Sequence, residues 1–270
     1  MSNAFLRIRQ KLIRERKYRE YLVFAIGEML LIMIGILVAL QIDNWNEIQK
    51  EQNEIKEYAV SLIQDLEEDL IMINEIKLQT NEIVARIDSL GKYVHNKRIE
   101  DISNLYVLCL TLNKPHRPYN WNRTTVDELK STGSLGYIKN KALSKVISHY
   151  YAFTHHLDVD YINDRVQFEK TTELVTSIVN NNYPNFYELR WKLLPKNNFR
   201  DYDFFESQEY KEAEAHNLRL LTNDINEVHN AVNNYNLLMV YLRLRTDVEL
   251  PKLTNDAEKL IRLLKETYID

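Results

Sequence analysis

The sequence predicts an all-α protein in which an N-terminal transmembrane helix continues into an antiparallel bundle of long helices, capped by short helices and loops. Three observations carry this expectation. Only five Gly and five Pro occur among 270 residues, too few turn formers for the many short strands of a sandwich or barrel. One run near the N-terminus is apolar over a bilayer-spanning length. Beyond it, apolar residues recur at spacings of three and four over long stretches, the pattern of helices packed side by side. The expected organisation is a basic cytoplasmic juxtamembrane segment at 1–20, a transmembrane helix at 21–42, and a translocated helical-bundle domain at 43–270, long enough to bury its own core.

The stretch from Tyr21 to Ile42 carries Glu28 as its only charge, and 22 helical residues at about 1.5 Å each reach roughly 33 Å, enough for a hydrocarbon core. It runs into charged helix rather than a small-x-small cleavage site, which predicts an uncleaved anchor. Arg7, Arg9, Lys11, Arg14, Arg16, Lys17 and Arg19 outnumber Glu15 and Glu20 before it, whereas the whole chain is at −4. The positive-inside rule therefore sets the N-terminus in the cytoplasm and the acidic remainder on the far side of the membrane. Tyr21 and Trp45 are about 36 Å apart on a helix and bracket the span as interfacial rings. Within it, Gly35 and Ala39 form a small-xxx-small pair, Gly27 lies two turns earlier, and a carboxylate at Glu28 is costly in lipid. This face is expected to contact another copy or a membrane partner.

After the span, Ile55, Ala59, Leu62, Leu66, Asp69, Ile73, Ile76, Thr80, Ile83, Ile87, Leu90 and Val94 follow a heptad-like spacing. They predict a long bundle or coiled-coil helix, continuous with the span, in which a buried Asp69 sets register. Gly91 and residues 95–98 end it. A shorter helix is expected over 101–112, and Pro115 and Pro118 enforce a loop. Thr125 and Glu128 have capping-box spacing for a helix that stops at Gly133. Asn140 then caps a long helix over 140–180, with a stripe through Leu143, Ile147, Tyr150, Thr154, Leu157, Tyr161, Phe168, Val175 and Val179. The aromatic stretch 183–206 reads as an ordered loop or cap. A third long helix is expected from Ser207 through Leu218, Leu221, Ile225, Val228, Val232, Tyr235, Met239 and Leu242. Pro251 closes it, and Thr254 caps a last helix bearing Ala257, Leu260, Ile261 and Leu264.

Little in the sequence announces chemistry. His149, His155, His156, His216 and His229, with Asp158, Asp160, Asp164 and Glu169, make a metal site conceivable, yet neither Glu-x-x-His nor HExxH occurs, and solvated helix faces are the expectation. There is no nucleophile elbow and no glycine-rich phosphate loop. Cys109, the single cysteine, sits between two leucines and reads as a buried apolar side chain. No enzyme, no cofactor and no catalytic or metal residue is expected, and an acidic domain disfavours nucleic acid. The expected partners are the lipid bilayer and either a second copy or another membrane protein.

Two stretches carry a resemblance: Arg7 to Leu12 with Tyr21 to Glu28 and Ile34 to Glu47, and Thr125 to Asn140 with Tyr150-Tyr151. They resemble an uncharacterised family of small membrane-anchored proteins, common in Bacteroidetes, that carries a domain of unknown function. The resemblance implies a bacterial inner-membrane protein whose helical-bundle domain at 43–270 is periplasmic, and it supplies no activity. The resulting expectation is an interaction or scaffold protein, an oligomeric or accessory subunit of an envelope complex. A periplasmic ligand sensor acting through a membrane partner is the alternative, and a metal-dependent enzyme the second.

Overall fold

The computed structural model describes residues 18–112, 118–193 and 204–269. Every regular element among them is helical. In chain order these are α1 (Tyr18–Val94), α2 (Asn104–Thr111), α3 (Thr124–Thr132), α4 (Lys141–Ile178), α5 (Phe186–Leu193), α6 (Gln208–Ala215), α7 (Ile225–Leu244) and α8 (Leu250–Tyr268). Short 3-10 turns precede α2 and α6 and follow α3, and a π turn, Arg245–Glu249, joins α7 to α8. The chain divides into two compact units, Met1–Glu57 and Tyr58–Asp270.

In the first unit, α1 is long and apolar enough to cross a membrane, and its large apolar side chains at Leu22, Val23 and from Ile26 to Ile42 are exposed. Its 77 residues continue without a break into the second unit, as the absence of Gly and Pro between positions 36 and 90 predicts. Arg7, Arg9, Lys11, Arg14, Arg16 and Lys17 lie outside the described residues, as does the side chain of Tyr21; Arg19 and Trp45 are exposed.

In the second unit the seam of α1 is the spine of the core. From Ala59 to Val94 the predicted seam positions are buried, Ile76 alone being half-buried. Asp69 is fully buried: its Oδ1 accepts from the Asn122 amide and its Oδ2 from the Tyr150 hydroxyl, each at 2.9 Å. Arg86, also buried, donates to the carbonyls of Cys109 and Leu112, supplying cationic hydrogen bonds to the C-terminal end of α2. Ser103 caps α2, Gly133 ends α3 at φ 79°, and Asn140 caps α4 by accepting from the amides of Ala142 and Leu143. Asn104 donates to the Asn180 carbonyl and the Tyr183 hydroxyl and accepts from the Asn180 amide, so the end of α4 is bound to the start of α2.

Five expectations are corrected. Thr125 is no cap: it lies buried inside α3, whose N-terminus has no side-chain cap, and Glu128 instead accepts from the Tyr58 hydroxyl. The 183–206 stretch contains a helix, α5, while residues 194–203 lie outside the described residues. The helix expected from Ser207 is two: α6 stops at Ala215, Asn217 takes φ 47°, the Leu221 amide bonds to the Ile178 carbonyl, and Asp224 caps α7. Pro251 closes nothing. It sits at the start of α8, where its missing amide is tolerated, and the Leu250 amide reaches back to the Arg245 carbonyl through the π turn. The Thr254 hydroxyl accordingly donates to Leu250 within the helix rather than capping it.

Candidate functional site

Helices α4 and α7 run antiparallel, as cross-links at three heights show. The Gln167 amide donates to the Asn234 carbonyl, Arg245 meets Asp164, and His156 meets Glu249. At the lower end these contacts form a charged cluster. Arg245 is 6% exposed and forks onto Asp164, itself 1% exposed, through Nε to Oδ2 at 2.9 Å and Nη2 to Oδ1 at 3.2 Å. Its Nη1 also donates to Glu249 Oε2 and lies 3.2 Å from Asp160 Oδ2. Burial alone favours a neutral guanidinium, but the hydrogen bonds and charges of Asp164 and Glu249 outweigh it and raise the pKa. Burial raises the Asp164 carboxyl, with Arg245 opposing. Tyr119 is buried at the same cluster, stacked on Trp121, and burial pushes its phenol up.

The sequence suits this arrangement locally. His156, Asp160 and Asp164 recur every fourth residue of α4 and share one helix face. Arg245 and Glu249 are brought together by the π turn, an element that is rare and enriched at functional positions. His156 Nε2 lies 3.1 Å from Asp160 Oδ2 and 3.5 Å from Glu249 Oε1.

A second feature lies on the outer side of the same helix pair. Val159, Ile162 and Val166 on α4 and Leu237, Val240, Tyr241, Leu244 and Val248 on α7 and the π turn are all exposed. Their spacings of three, four and seven put each set on one face, and the antiparallel cross-links bring the two sets to the same heights. A third is a cleft of ≈ 350 Å³ among α2, α4, α5 and α7, in which Phe168, Phe186 and Tyr235 stand beside Thr172, Thr176 and Arg190.

Of the histidines read as conceivable ligands, only His156 joins a cluster of potential ligands among the described residues. His149, His216 and His229 are exposed. Asp158 is occupied by Arg123 at 2.7 Å and the Trp121 indole at 3.0 Å, and Glu169 pairs with Arg165. Arg245 and Glu249 were not singled out from the sequence; the available signal was an Arg and a Glu four apart, continuing the buried stripe of α7 past Leu242. Cys109 is fully buried and burial pushes its thiol up. At Gly27 and Gly35 an added Cβ would meet nothing within 4 Å, so within one chain that face of the apolar part of α1 is open.

A model of a family of unknown function, DUF6090, matches residues 28–209. The chain belongs to that family. The matched part of this DUF6090 protein takes in α1 from Glu28 onward, α2 to α5 and the start of α6, and it leaves out α7, the π turn and α8. No curated protein and no solved structure matches the chain.

Proposed function

We propose that the chain is a membrane-anchored interaction protein, with its N-terminus cytoplasmic and residues 43–270 periplasmic, that assembles through the outer face of α4 and α7. The observation that carries the reading is the paired apolar stripe, eight large apolar side chains each at least 37% exposed on two adjacent helices. Isolated exposed apolar residues are ordinary, but a contiguous set is the mark of an association surface. The occupant proposed is a second copy. A stable interface buries about 800 Å² per partner, and eight large side chains each at least 37% exposed supply the apolar centre of one. Arg165, Arg243 and Asp247, exposed next to it in the chain, carry both charge signs, which suits a self-complementary twofold contact. No catalytic step is assigned to the chain.

The first test is the mass of the full-length protein extracted in mild detergent, with identification of what co-purifies. A homodimer whose dissociation Val240→Glu and Ile162→Glu each promote supports the reading. A monomeric wild type, or a dimer indifferent to both substitutions, overturns it. The sensor reading is favoured by the α2/α4/α5/α7 cleft, whose volume falls at the small end of ligand sites; a ligand that raises the unfolding temperature of wild type and not of Arg190→Ala would support it.

A further inference from the structure

We infer that His156, Asp160 and Glu249 form a binding site for a divalent cation of the zinc class that ties α4 to the π turn. This goes beyond the interaction reading and does not depend on it. Ligand atoms of the three residues all lie within 4.8 Å of one another. A cation with bonds of about 2.0–2.2 Å to nitrogen and oxygen has ligand-to-ligand edges of about 2.9–3.6 Å in octahedral or tetrahedral geometry. The His156 Nε2 separations of 3.1 Å from Asp160 Oδ2 and 3.5 Å from Glu249 Oε1 are edges of that size.

A second observation is independent of spacing. Asp160 Oδ2 is shut off from solvent and has no hydrogen-bond partner among the described residues. Two nitrogens stand near it at ion-pair distance, His156 Nε2 at 3.1 Å and Arg245 Nη1 at 3.2 Å, and neither makes a hydrogen bond to it. An imidazole nitrogen and a carboxylate oxygen at this distance without a hydrogen bond between them have the separation that two ligands of one cation take.

Charge points the same way. Asp160, Asp164 and Glu249 face a single guanidinium, Arg245. With a neutral imidazole, two negative charges are left over in a partly buried site, and a divalent ion cancels both. Arg245 does not fill the ion's place. It anchors on Asp164 and holds Glu249 through Oε2, which leaves Oε1 directed at His156, the arrangement in which an outer partner orients a ligating carboxylate. His156 is half exposed, so the cation has a path in and water can complete its coordination. The Glu-x-x-His pattern is not needed, because the third ligand comes from the π turn and the first two from consecutive turns of α4.

The test is titration of the chelator-treated, full-length protein in detergent with Co²⁺ and then Zn²⁺. The expected result is a visible Co²⁺ absorption band that saturates at one equivalent and is displaced by Zn²⁺. His156→Ala and Asp160→Asn are each expected to weaken Zn²⁺ binding by more than about 10-fold, a loss seen even for outer-shell partners. Both side chains reach solvent, so circular dichroism is expected to show both variants folded, whether or not Glu249→Gln also folds. If wild type titrates as His156→Ala does, by both binding or by neither binding, the site is overturned.

Discussion

Asp69 lies wholly inside the second unit, held by the Asn122 amide and the Tyr150 hydroxyl. Burial raises its pKa, with Asp65 adding to the rise while the two hydrogen bonds and Arg123 oppose it. A carboxyl whose folded-state pKa exceeds the unfolded value binds its proton more tightly when folded. The stabilisation is then complete below the unfolded pKa and is lost as pH rises through the raised one. The melting temperature of wild type relative to Asp69→Asn is therefore expected to be highest below about pH 4 and to fall toward neutrality, measured by circular dichroism across that range. A gap that widens toward neutral pH would mean that the hydrogen bonds outweigh burial.

Arg245 tests the opposite case, a buried charge that is paired. Arg245→Met leaves Asp164 buried without its counterion, and breaking such a pair costs about 3–5 kcal/mol. Urea unfolding of the single variant and of Arg245→Met with Asp164→Leu checks this, the double variant being expected to recover most of the loss. At this scale legibility was uneven for a physical reason. Asp69 falls on a heptad position of a long apolar seam, so its burial follows from periodicity. Asp164 likewise falls between Tyr161 and Phe168 on the α4 stripe, but its burial makes sense only with a guanidinium 81 positions away, and periodicity carries no information about such a partner.

At the scale of elements, the ends governed by local chemistry were readable. Gly133 adopts φ 79° with open space around its Cβ position, so Gly133→Ala is expected to cost about 1 kcal/mol through backbone conformation rather than collision. Asn140→Ala, which removes the α4 cap, is expected to cost about 1 kcal/mol. Both are read from thermal or urea unfolding. The unreadable ends depend on tertiary contacts. The gap between α6 and α7 contains neither Gly nor Pro; it is held open by the Leu221 amide on the Ile178 carbonyl and by Leu218 and Leu220 packing on the core. Pro251 looks like a stop when only its missing amide is considered. The π turn before it lets the helical path resume, and carries Arg245 and Glu249 to α4.

At the scale of the molecule, association has two proposed origins, one in each unit: the face of the span bearing Gly27, Glu28, Gly35 and Ala39, and the α4/α7 stripe. Their energetics differ. In lipid there is no hydrophobic gain on helix contact, so the span face relies on close backbone approach and a satisfied carboxylate, whereas the stripe removes apolar surface from water. Joined in one chain, each contact makes the other intramolecular, and such linkage strengthens assembly by about 10²–10⁴-fold over either alone. Gly35→Leu and Glu28→Leu are therefore expected to weaken crosslinking in membranes without abolishing it, Val240→Glu to do the same, and Gly35→Leu combined with Val240→Glu to leave monomer. Crosslinking at graded expression levels separates the cases. If the span variants leave crosslinking unchanged, the glycine face is lipid-exposed and the helix is only an anchor; if Val240→Glu is silent while the span variants are not, assembly resides in the membrane and the stripe awaits a different partner.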